Sequence, residues 1–420
     1  MARGGKNAKI VDKQAVHPIS WKPGRNLYSM KTVYLHIGTP KTATSSIQNL
    51  CLVNREELHK YGFSYEKSPF DYPGVNSRRN AHFLVGPRKI ERLIPGKEEE
   101  YRKQLRTGFS MVHEQFEKYD HVILTDENLW WSVNYGSWNG LKLLTEDASR
   151  NGYNVKVLVY LRRQDDYLIS RWNQLIKERR ISESLPLHLR KVLSGEPLLV
   201  NYDESLDRIA KIVGKENIIV RRFERSSWVN GSVYDDFKDA IGLGDAFLKI
   251  PEQNENMSLK NNFVEFQRMV NRMDGLSQKE KDDISICLRR ASNRAKESHP
   301  TSMLSAQERM ELLAKFDEGN ERVADEYIGD GKPLFDMKMT ELTKWERNNN
   351  DYLKDAMAFI CELPRENREL LNTDEILEPL SENENSWFKR MSTGLLIFVY
   401  KIKYSARSYI VKKAKVLLSR

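Results

Sequence analysis

Residues 33–46 read VYLHIGTPKTATSS, and this stretch decides the fold. It begins with the apolar run Val33–Ile37, which has the length of a strand. A loop of small residues with a single lysine, Lys41, follows it. From Ile47 onward the apolar positions have roughly helical spacing. A buried strand that runs through such a loop into a helix predicts the opening unit of a mostly parallel α/β sheet.

Three further apolar runs predict strands of the same sheet, at His121–Thr125 (HVILT), Val155–Leu161 (VKVLVYL) and Ile218–Phe223 (IIVRRF). Helical patterns lie between them, and the first is predicted to span Thr44–Tyr61 with Gly62 as its C-cap. Strands separated by helices predict an α/β fold of three layers, in which helices cover both faces of a mostly parallel sheet.

The remaining organisation follows from changes in composition. After about residue 260 the strand signal fades and charged helical patterns take over, for example at 278–297 and 305–327. The predicted parts are a mobile basic arm at 1–31, an α/β core at 32–260 and a helical part of the same domain at 261–336. A polar helical extension at 337–386 and a basic amphipathic tail at 387–420 complete the chain.

The positive charge is concentrated at the two ends of the chain. Residues 1–31 carry seven basic residues and one acidic residue, and residues 387–420 carry nine basic residues and no acidic one. Because the whole chain has a net charge of +9, the body at 32–386 carries −6. A nucleic-acid-binding body would be expected to carry a basic face of its own, so this distribution argues against nucleic acid as a partner.

The tail has the pattern of a basic amphipathic helix, with apolar residues on one face and lysines opposite. That pattern favours contact with an anionic membrane surface, and a docked C-terminal helix or a disordered tail is the alternative. No apolar run is long enough to span a bilayer, and the first thirty residues lack the apolar segment of a signal peptide. We therefore expect a cytoplasmic protein, with the tail as a candidate peripheral contact at the inner membrane face.

In an open parallel sheet, ligands bind outside the carboxyl ends of the strands. The loop at 38–46 follows the first strand and opens a helix, so its backbone N–H groups and the helix dipole suit a phosphate or sulfate. Lys41 adds a positive charge there. The loop is not a Walker A motif, because the glycine before the lysine and the required length are both missing.

The loop resembles the 5′-phosphosulfate-binding loop of sulfotransferases that use 3′-phosphoadenosine 5′-phosphosulfate (PAPS), whose pattern is PK[ST]GTT. The matching residues are Pro40, Lys41, Thr42, Thr44 and Ser45, whereas Ala43 replaces the usual glycine. Ser46 stands where many cytosolic members place a tryptophan that stacks on adenine, and Phe223 is the candidate substitute for that contact. The resemblance implies that Lys41, Thr42, Ala43, Thr44, Ser45 and Ser46 bind the donor.

A second segment is similar to the family's 3′-phosphate-binding segment, an arginine at a strand end followed eight residues later by a helical serine. Arg162 and Ser170 have that spacing, with Gln164 where many relatives have proline. A guanidinium and a hydroxyl are suitable donors for a phosphate. The resemblance to bacterial PAPS-dependent sulfotransferases covers about residues 32–335, and it implies a P-loop-like fold and a PAPS donor without a metal.

Sulfuryl transfer also needs a group that takes the acceptor's proton. The candidates are His82, in an Asn-x-His segment similar to one in bacterial relatives, and Glu127, which directly follows the second predicted strand. The expected acceptor is a hydroxyl or amine, preferentially on a carbohydrate or lipid-linked glycan. Two alternatives remain open: a nucleotide-dependent kinase, because VILTDE resembles a Walker B strand, and an inactive membrane-associated scaffold.

Two side-chain groups near these motifs have competing interpretations. The aromatic residues Trp130, Trp131, Tyr135 and Trp138 could form a platform for the acceptor, although aromatic side chains more often pack in a core or lid. Of the neighbours Arg162 and Arg163, one is expected to form only a salt bridge with Asp165 or Asp166.

Overall fold

The computed structural model describes residues 30–86, 88–89, 92–93, 96–135, 140–195, 199–251, 258–295, 301–338, 342–347 and 351–363. Most of the predicted arm, all of the predicted tail and residues 364–386 lie outside the described residues. Within the described residues, no helix is both long and apolar enough to cross a lipid bilayer.

The strands lie in one main sheet and two small ribbons. They are β1 (Thr32–His36), β2 (Phe63–Ser64), β3 (Arg88–Lys89), β4 (Arg92–Leu93), β5 (His121–Thr125), β6 (Asn154–Leu161), β7 (Ile218–Arg222), β8 (Thr301–Ser302) and β9 (Thr343–Lys344). The main sheet is entirely parallel, in the order β2-β5-β1-β6-β7. Strand β1 is central: Thr32 pairs with His121 on one side and with Asn154 on the other.

The helices connect and cover these strands. They are α1 (Thr44–Val53), α2 (Arg55–Lys60), α3 (Glu98–Phe116), α4 (Asn128–Tyr135), α5 (Gly140–Asn151), α6 (Gln164–Lys177), α7 (Leu185–Leu193), α8 (Tyr202–Val213), α9 (Val233–Ala240), α10 (Asn261–Arg272), α11 (Gln278–Arg294), α12 (Ala306–Leu313), α13 (Asp317–Val323) and α14 (Tyr352–Glu362).

The sheet separates two apolar cores, because alternate side chains of each strand point to opposite faces. Val157 and Val159 of β6 belong to the core that α3, α4, α5 and α8 cover. Leu158 and Tyr160 belong to the opposite core, which α1, α2 and α9 cover. The predicted three-layer α/β fold with a mostly parallel sheet is therefore confirmed.

A third core lies within the helices. Trp172 of α6 packs there with Phe266 of α10, Leu288 of α11 and Phe359 of α14, all of them buried. The helical part predicted at 261–336 supplies α10, α11 and α12 to this core, and α6 from the predicted α/β core and α14 from the predicted extension also belong to it. Helix α6 joins it to the sheet, since α6 begins three residues after β6 ends.

The prediction of a single helix at 44–61 is wrong. The chain breaks at Asn54, whose backbone leaves helical geometry (φ −113°, ψ 22°), so that α1 and α2 are separate. The side chain of Asn54 donates to the carbonyl oxygens of Leu50 and Lys249, at 2.8 Å each, and accepts from the Lys249 amide at 2.7 Å. The predicted cap Gly62 does follow α2 with φ 76°, and it leads into β2, an edge strand that the sequence analysis missed.

Candidate active site

The loop between β1 and α1 holds two non-glycine residues in the left-handed region, Lys41 (φ 72°) and Ala43 (φ 55°). Gly38 has φ 37° as well. These positive angles turn the chain sharply from the strand into α1, which begins at Thr44. The first amides of a helix have no intrahelical partner, so the loop and the helix start together form an anion-binding arrangement.

Two buried polar atoms beneath this loop have no hydrogen-bond partner among the described residues. They are the Thr44 hydroxyl oxygen and Nε2 of His36. Both lie close to Gly38, since a Cβ at that position would come within 2.7 Å of the Thr44 oxygen and 3.4 Å of His36 Nε2. Buried polar groups normally have partners. The orphaned Thr44 hydroxyl therefore suits an oxygen of a bound anion.

The two donor-binding segments predicted from separate parts of the sequence meet at this loop. Arg162 follows β6, the neighbour of β1, and its Nη1 donates to the carbonyl oxygen of Lys41 at 3.2 Å. Tyr202 fixes the Arg162 backbone by donating to its carbonyl oxygen at 2.6 Å. Ser170 lies further along α6 and is half-buried; in the described structure it forms no hydrogen bond with Arg162 or Lys41.

The charge around Lys41 is strongly positive. Burial lowers the pKa of its ammonium, and the nearby cations Lys177, Arg162 and Arg171 lower it further. Only Glu127 among the interacting groups opposes that trend. The sequence analysis missed Arg171 and Lys177, although both lie on α6 after Ser170, by one and seven residues. Because these cations repel one another, an anion bound among them would lower the electrostatic free energy of the site.

The two predicted base candidates lie in one chain of ion pairs. His82 Nδ1 donates to the Asp126 carboxylate at 2.6 Å, and Arg79 pairs with Glu127. Arg79 also lies 3.8 Å from Asp126, which is fully buried, so the four side chains form a single network. Burial raises the pKa of Glu127, while Arg79, Lys41 and Arg171 act to lower it.

Asn80 fixes this network to the sheet. Its side-chain amide donates to the carbonyl oxygens of Glu66 and Ile123 at 2.9 Å each, and its oxygen accepts from the Thr125 amide at 2.8 Å. The Asn-x-His segment found in the sequence thus combines a structural asparagine with a histidine near the site. The sequence analysis noted Asp126 only within VILTDE and did not find Arg79, because the contacts of both residues depend on packing.

Only some of the aromatic residues considered as an acceptor platform lie near the candidate site. Trp130 is fully buried and belongs to the core, in line with the core packing that was the alternative for this residue. Trp131 stacks on Tyr135 and lies beneath the Arg171 guanidinium, 5.4 Å from the ring centroid. Trp138 lies outside the described residues.

The neighbours of Arg162 have clear roles. Arg163 forms an ion pair with Asp165 at 2.8 Å and donates to the Asp336 carbonyl oxygen, so it is the structural member of the arginine pair. Phe223 lies under Arg162, with the guanidinium 5.9 Å from the ring centroid. This proximity keeps Phe223 as the candidate adenine contact.

Comparison with known proteins gives limited similarity. No protein-family model matches the chain. An uncharacterized protein from Archaeoglobus fulgidus is 27% identical over 181 residues, which cover 41% of this chain and 46% of that protein. The matched part thus spans less than half of that relative's length. The crystal structure of a sulfotransferase from Alicyclobacillus acidocaldarius is 16% identical and covers 57% of this chain and 92% of its own, with a TM-score of 0.32. The fold assignment accordingly rests on the sheet order described above.

Proposed function

We propose that the protein is a sulfotransferase that moves a sulfuryl group from PAPS to an acceptor hydroxyl or amine. The observation that carries this proposal is the hydrogen bond from Arg162 to the carbonyl oxygen of Lys41. It brings the two segments that resemble PAPS-binding motifs to one point at the carboxyl ends of β1 and β6. The cationic surroundings of Lys41 and the orphaned Thr44 hydroxyl support an anionic ligand there.

The residues have separable roles. The donor supplies an SO₃ group bonded to a phosphate oxygen; that S–O bond breaks as a bond to the acceptor oxygen or nitrogen forms. Lys41 neutralises the charge that develops on the departing phosphate, helped by the amides of residues 42–45 and the Thr44 hydroxyl. Arg162 binds the 3′-phosphate, and Ser170 is proposed to complete that contact when the nucleotide is present. Positioning of this kind supplies much of the barrier reduction in group transfer.

We assign the general base to Glu127. It is the carboxylate whose charge acts on Lys41, and the acceptor oxygen must lie close to the transferred group. Burial raises the pKa of Glu127, and the ion pair with Arg79 opposes that shift by favouring the ionised carboxylate, the form that accepts a proton. Asp126 holds both Arg79 and His82, so these three residues position the base.

The same ion pairs oppose a Walker B role for Asp126 and Glu127. A Walker B acid is needed as a metal ligand, whereas both carboxylates here already have cationic partners. Among the described residues, no group of three or more His, Cys, Asp or Glu side chains could hold a metal ion.

The acceptor that we propose is a carbohydrate or lipid-linked glycan, which a membrane-bound tail at residues 387–420 would bring within reach.

A thermal-shift titration tests the donor. The purified protein, Arg162→Ala and the control Arg150→Ala are titrated with 3′-phosphoadenosine 5′-phosphate, AMP, and ATP with magnesium. Arg150 is 74% exposed, so its loss should leave binding unchanged. A ligand at 100 times its dissociation constant stabilises the native state by about 2.7 kcal/mol, which raises Tm by a few degrees.

We expect a shift that is specific to the 3′-phosphorylated nucleotide and is lost in Arg162→Ala alone. A larger shift with ATP and magnesium would instead identify a kinase. The absence of any nucleotide-dependent shift would favour the scaffold.

A further inference from the structure

Arg171 forms no ion pair among the described residues. Its guanidinium carbon is 5.4 Å from the centroid of Trp131, and the described residues give it no ion pair and no hydrogen bond. Trp131 in turn stacks on Tyr135, with ring centroids 5.9 Å apart and planes 11° from parallel. All three side chains are half-buried. The result is an arginine whose guanidinium lies over an aromatic pair, which we name the Arg171 stack (Arg171, Trp131 and Tyr135).

A stacked guanidinium is ready to bind an anion. The ring restricts the position of the group, while its N–H donors remain available for a two-pronged contact with a carboxylate. Partial burial of a cation costs free energy unless an anion compensates it. Two nearby arginines already have acidic partners: Arg163 pairs with Asp165, and Arg309 pairs with both Asp165 and Asp166. Arg171 differs from them in this respect.

The Arg171 stack also lies beside the reacting groups. Glu127 precedes Trp131 by four residues, and the Trp130 amide donates to the Glu127 carbonyl oxygen at 3.3 Å, so the stack begins one helical turn beyond Glu127. The charge of Arg171 acts to lower the pKa of both Lys41 and Glu127, which agrees with this placement. Trp131 and Tyr135 belong to α4, which begins directly after Glu127. The 3′-phosphate contact, in contrast, is assigned to Arg162, whose ring neighbour is Phe223 beyond β7. The Arg171 stack therefore lies on the Glu127 side of Lys41, where the acceptor must approach.

We propose that the Arg171 stack is an acceptor subsite that binds a carboxylate of an acidic glycan, close to the hydroxyl that receives the sulfuryl group. This inference rests on the proposed function for its reaction, and it narrows the acceptor class from glycans in general to those with uronic-acid units. Trp131 is the positioning residue, because the guanidinium lies over its ring.

A binding experiment tests this subsite without relying on turnover. Isothermal titration calorimetry measures tetragalacturonic acid and its methyl ester against the full chain saturated with 3′-phosphoadenosine 5′-phosphate. The acid carries negatively charged carboxylates, whereas the same groups are neutral in the methyl ester. The variants are Arg171→Gln, Arg171→Lys and Trp131→Ala, and Arg150→Gln serves as the control for net charge because Arg150 lies exposed on α5.

We expect the acid to bind the wild-type protein more tightly than the ester, and Arg171→Gln to remove that preference with a loss of about 10- to 100-fold in affinity for the acid. Arg171→Lys keeps the positive charge but lacks the paired N–H donors of the guanidinium, so its affinity for the acid should lie between those of Arg171→Gln and the wild-type protein. Trp131→Ala should weaken binding of the acid because the guanidinium is no longer held. Arg150→Gln should bind both sugars as the wild-type protein does.

Three results would overturn the proposal. The first is equal binding, or no binding, of the acid and the ester by the nucleotide-saturated wild-type protein. The second is unchanged affinity for the acid in Arg171→Gln. The third is loss of nucleotide affinity in Arg171→Gln, which would make Arg171 a donor contact. Failure of the wild-type protein to bind the nucleotide at all would instead refute the proposed function, so the two failures are distinguishable.

Discussion

At the scale of single residues, Ala43 explains why the related loops use glycine. Its φ of 55° is in the left-handed region, which costs an L-residue about 1–2 kcal/mol. Ala43→Gly should therefore stabilise the protein by up to about 1 kcal/mol after the entropy of glycine is allowed for, and donor binding should be retained. Denaturant unfolding measures the change.

The matched control is Ser45→Gly, two residues further on and inside α1. That substitution should destabilise the protein by about 0.5–1 kcal/mol, since glycine weakens a helix. A loss of stability in Ala43→Gly of the same size would mean that the backbone at this position is not left-handed in solution.

His36 predicts a pH dependence of stability. It is fully buried, and burial lowers its pKa from 6.5 to about 3. As the pH falls below 6.5, the unfolded chain takes up a proton that the folded chain does not, so stability is lost towards acid pH. At pH 5 the loss is roughly 2 kcal/mol, from 1.36 kcal/mol per pKa unit.

Comparison of unfolding free energies at pH 7 and pH 5 checks this effect. The buried variant His36→Gln should lose about 2 kcal/mol less between these pH values than the wild-type protein does. The depressed pKa values of His121 and His188 are shared by both proteins and cancel in the comparison. Equal losses in the two proteins would show that His36 titrates normally.

The assignment of the base gives a kinetic prediction. Glu127→Gln should lower kcat by about 10²–10⁴-fold, because a positioned base contributes that much, and it should leave nucleotide binding intact. His82→Asn removes a residue that acts through Asp126 and should cost less. Since burial raises the pKa of Glu127 above 4.5, the wild-type rate should rise with pH through that higher value.

A pH–rate profile of each variant distinguishes the candidates. If His82→Asn removes the acid limb of the profile and Glu127→Gln keeps it, then His82 is the base.

The sequence identified some residues of the candidate site and missed others. Lys41, Arg162, His82 and Glu127 could be found because each follows a motif or a strand end. The roles of Arg79 and Asp126 could not be found, since they arise from ion pairs between segments that are 47 residues apart in the chain. Arg171 was adjacent to a predicted residue, Ser170, but its stack on Trp131 depends on how α4 and α6 lie together.

At the scale of secondary structure, the strands were predictable and the helix break was not. Buried parallel strands are short apolar runs, and four were predicted within one residue at each end. The two-residue strand β2 is too short to give a pattern. The break at Asn54 depends on hydrogen bonds with Lys249, 195 residues away, which no local pattern contains.

The same hydrogen bonds give a prediction for this element. Asn54→Ala removes three hydrogen bonds and leaves the amide and carbonyl groups of Lys249 without their partner, so it should cost about 2–4 kcal/mol. Thermal unfolding and denaturant titration measure the loss. The control Asn49→Ala, at a half-buried position of α1, should change stability little. Similar values for the two variants would mean that Asn54 does not fix residue 249.

At the scale of the whole molecule, α6 couples the donor site to the helical core. Its first residues follow Arg162, while Trp172 and Ile176 pack in the core formed with α10, α11 and α14. Stability of the helical core should therefore affect nucleotide binding, although most of that core lies far from Lys41 in the sequence.

Two truncations test that coupling. A chain that ends at residue 350 lacks α14 and with it the buried Tyr352 and Phe359. Loss of one buried aromatic side chain alone typically costs about 3–5 kcal/mol, so this chain should have a much lower Tm and weaker binding of 3′-phosphoadenosine 5′-phosphate. A chain that ends at residue 386 keeps α14 and lacks the basic tail; its Tm and nucleotide affinity should equal those of the full chain.

The chain that ends at 386 also separates the tail's proposed role from catalysis. Residues 387–420 carry nine basic residues and no acidic residue, so the full chain should partition onto vesicles that contain anionic lipid, less strongly at high salt, while the truncated chain stays in solution. Vesicle sedimentation at two salt concentrations measures this. If the truncated chain binds vesicles as well as the full chain does, the membrane contact lies in the body, whose net charge is −6. Lost nucleotide affinity in that chain would instead make the tail part of the donor site.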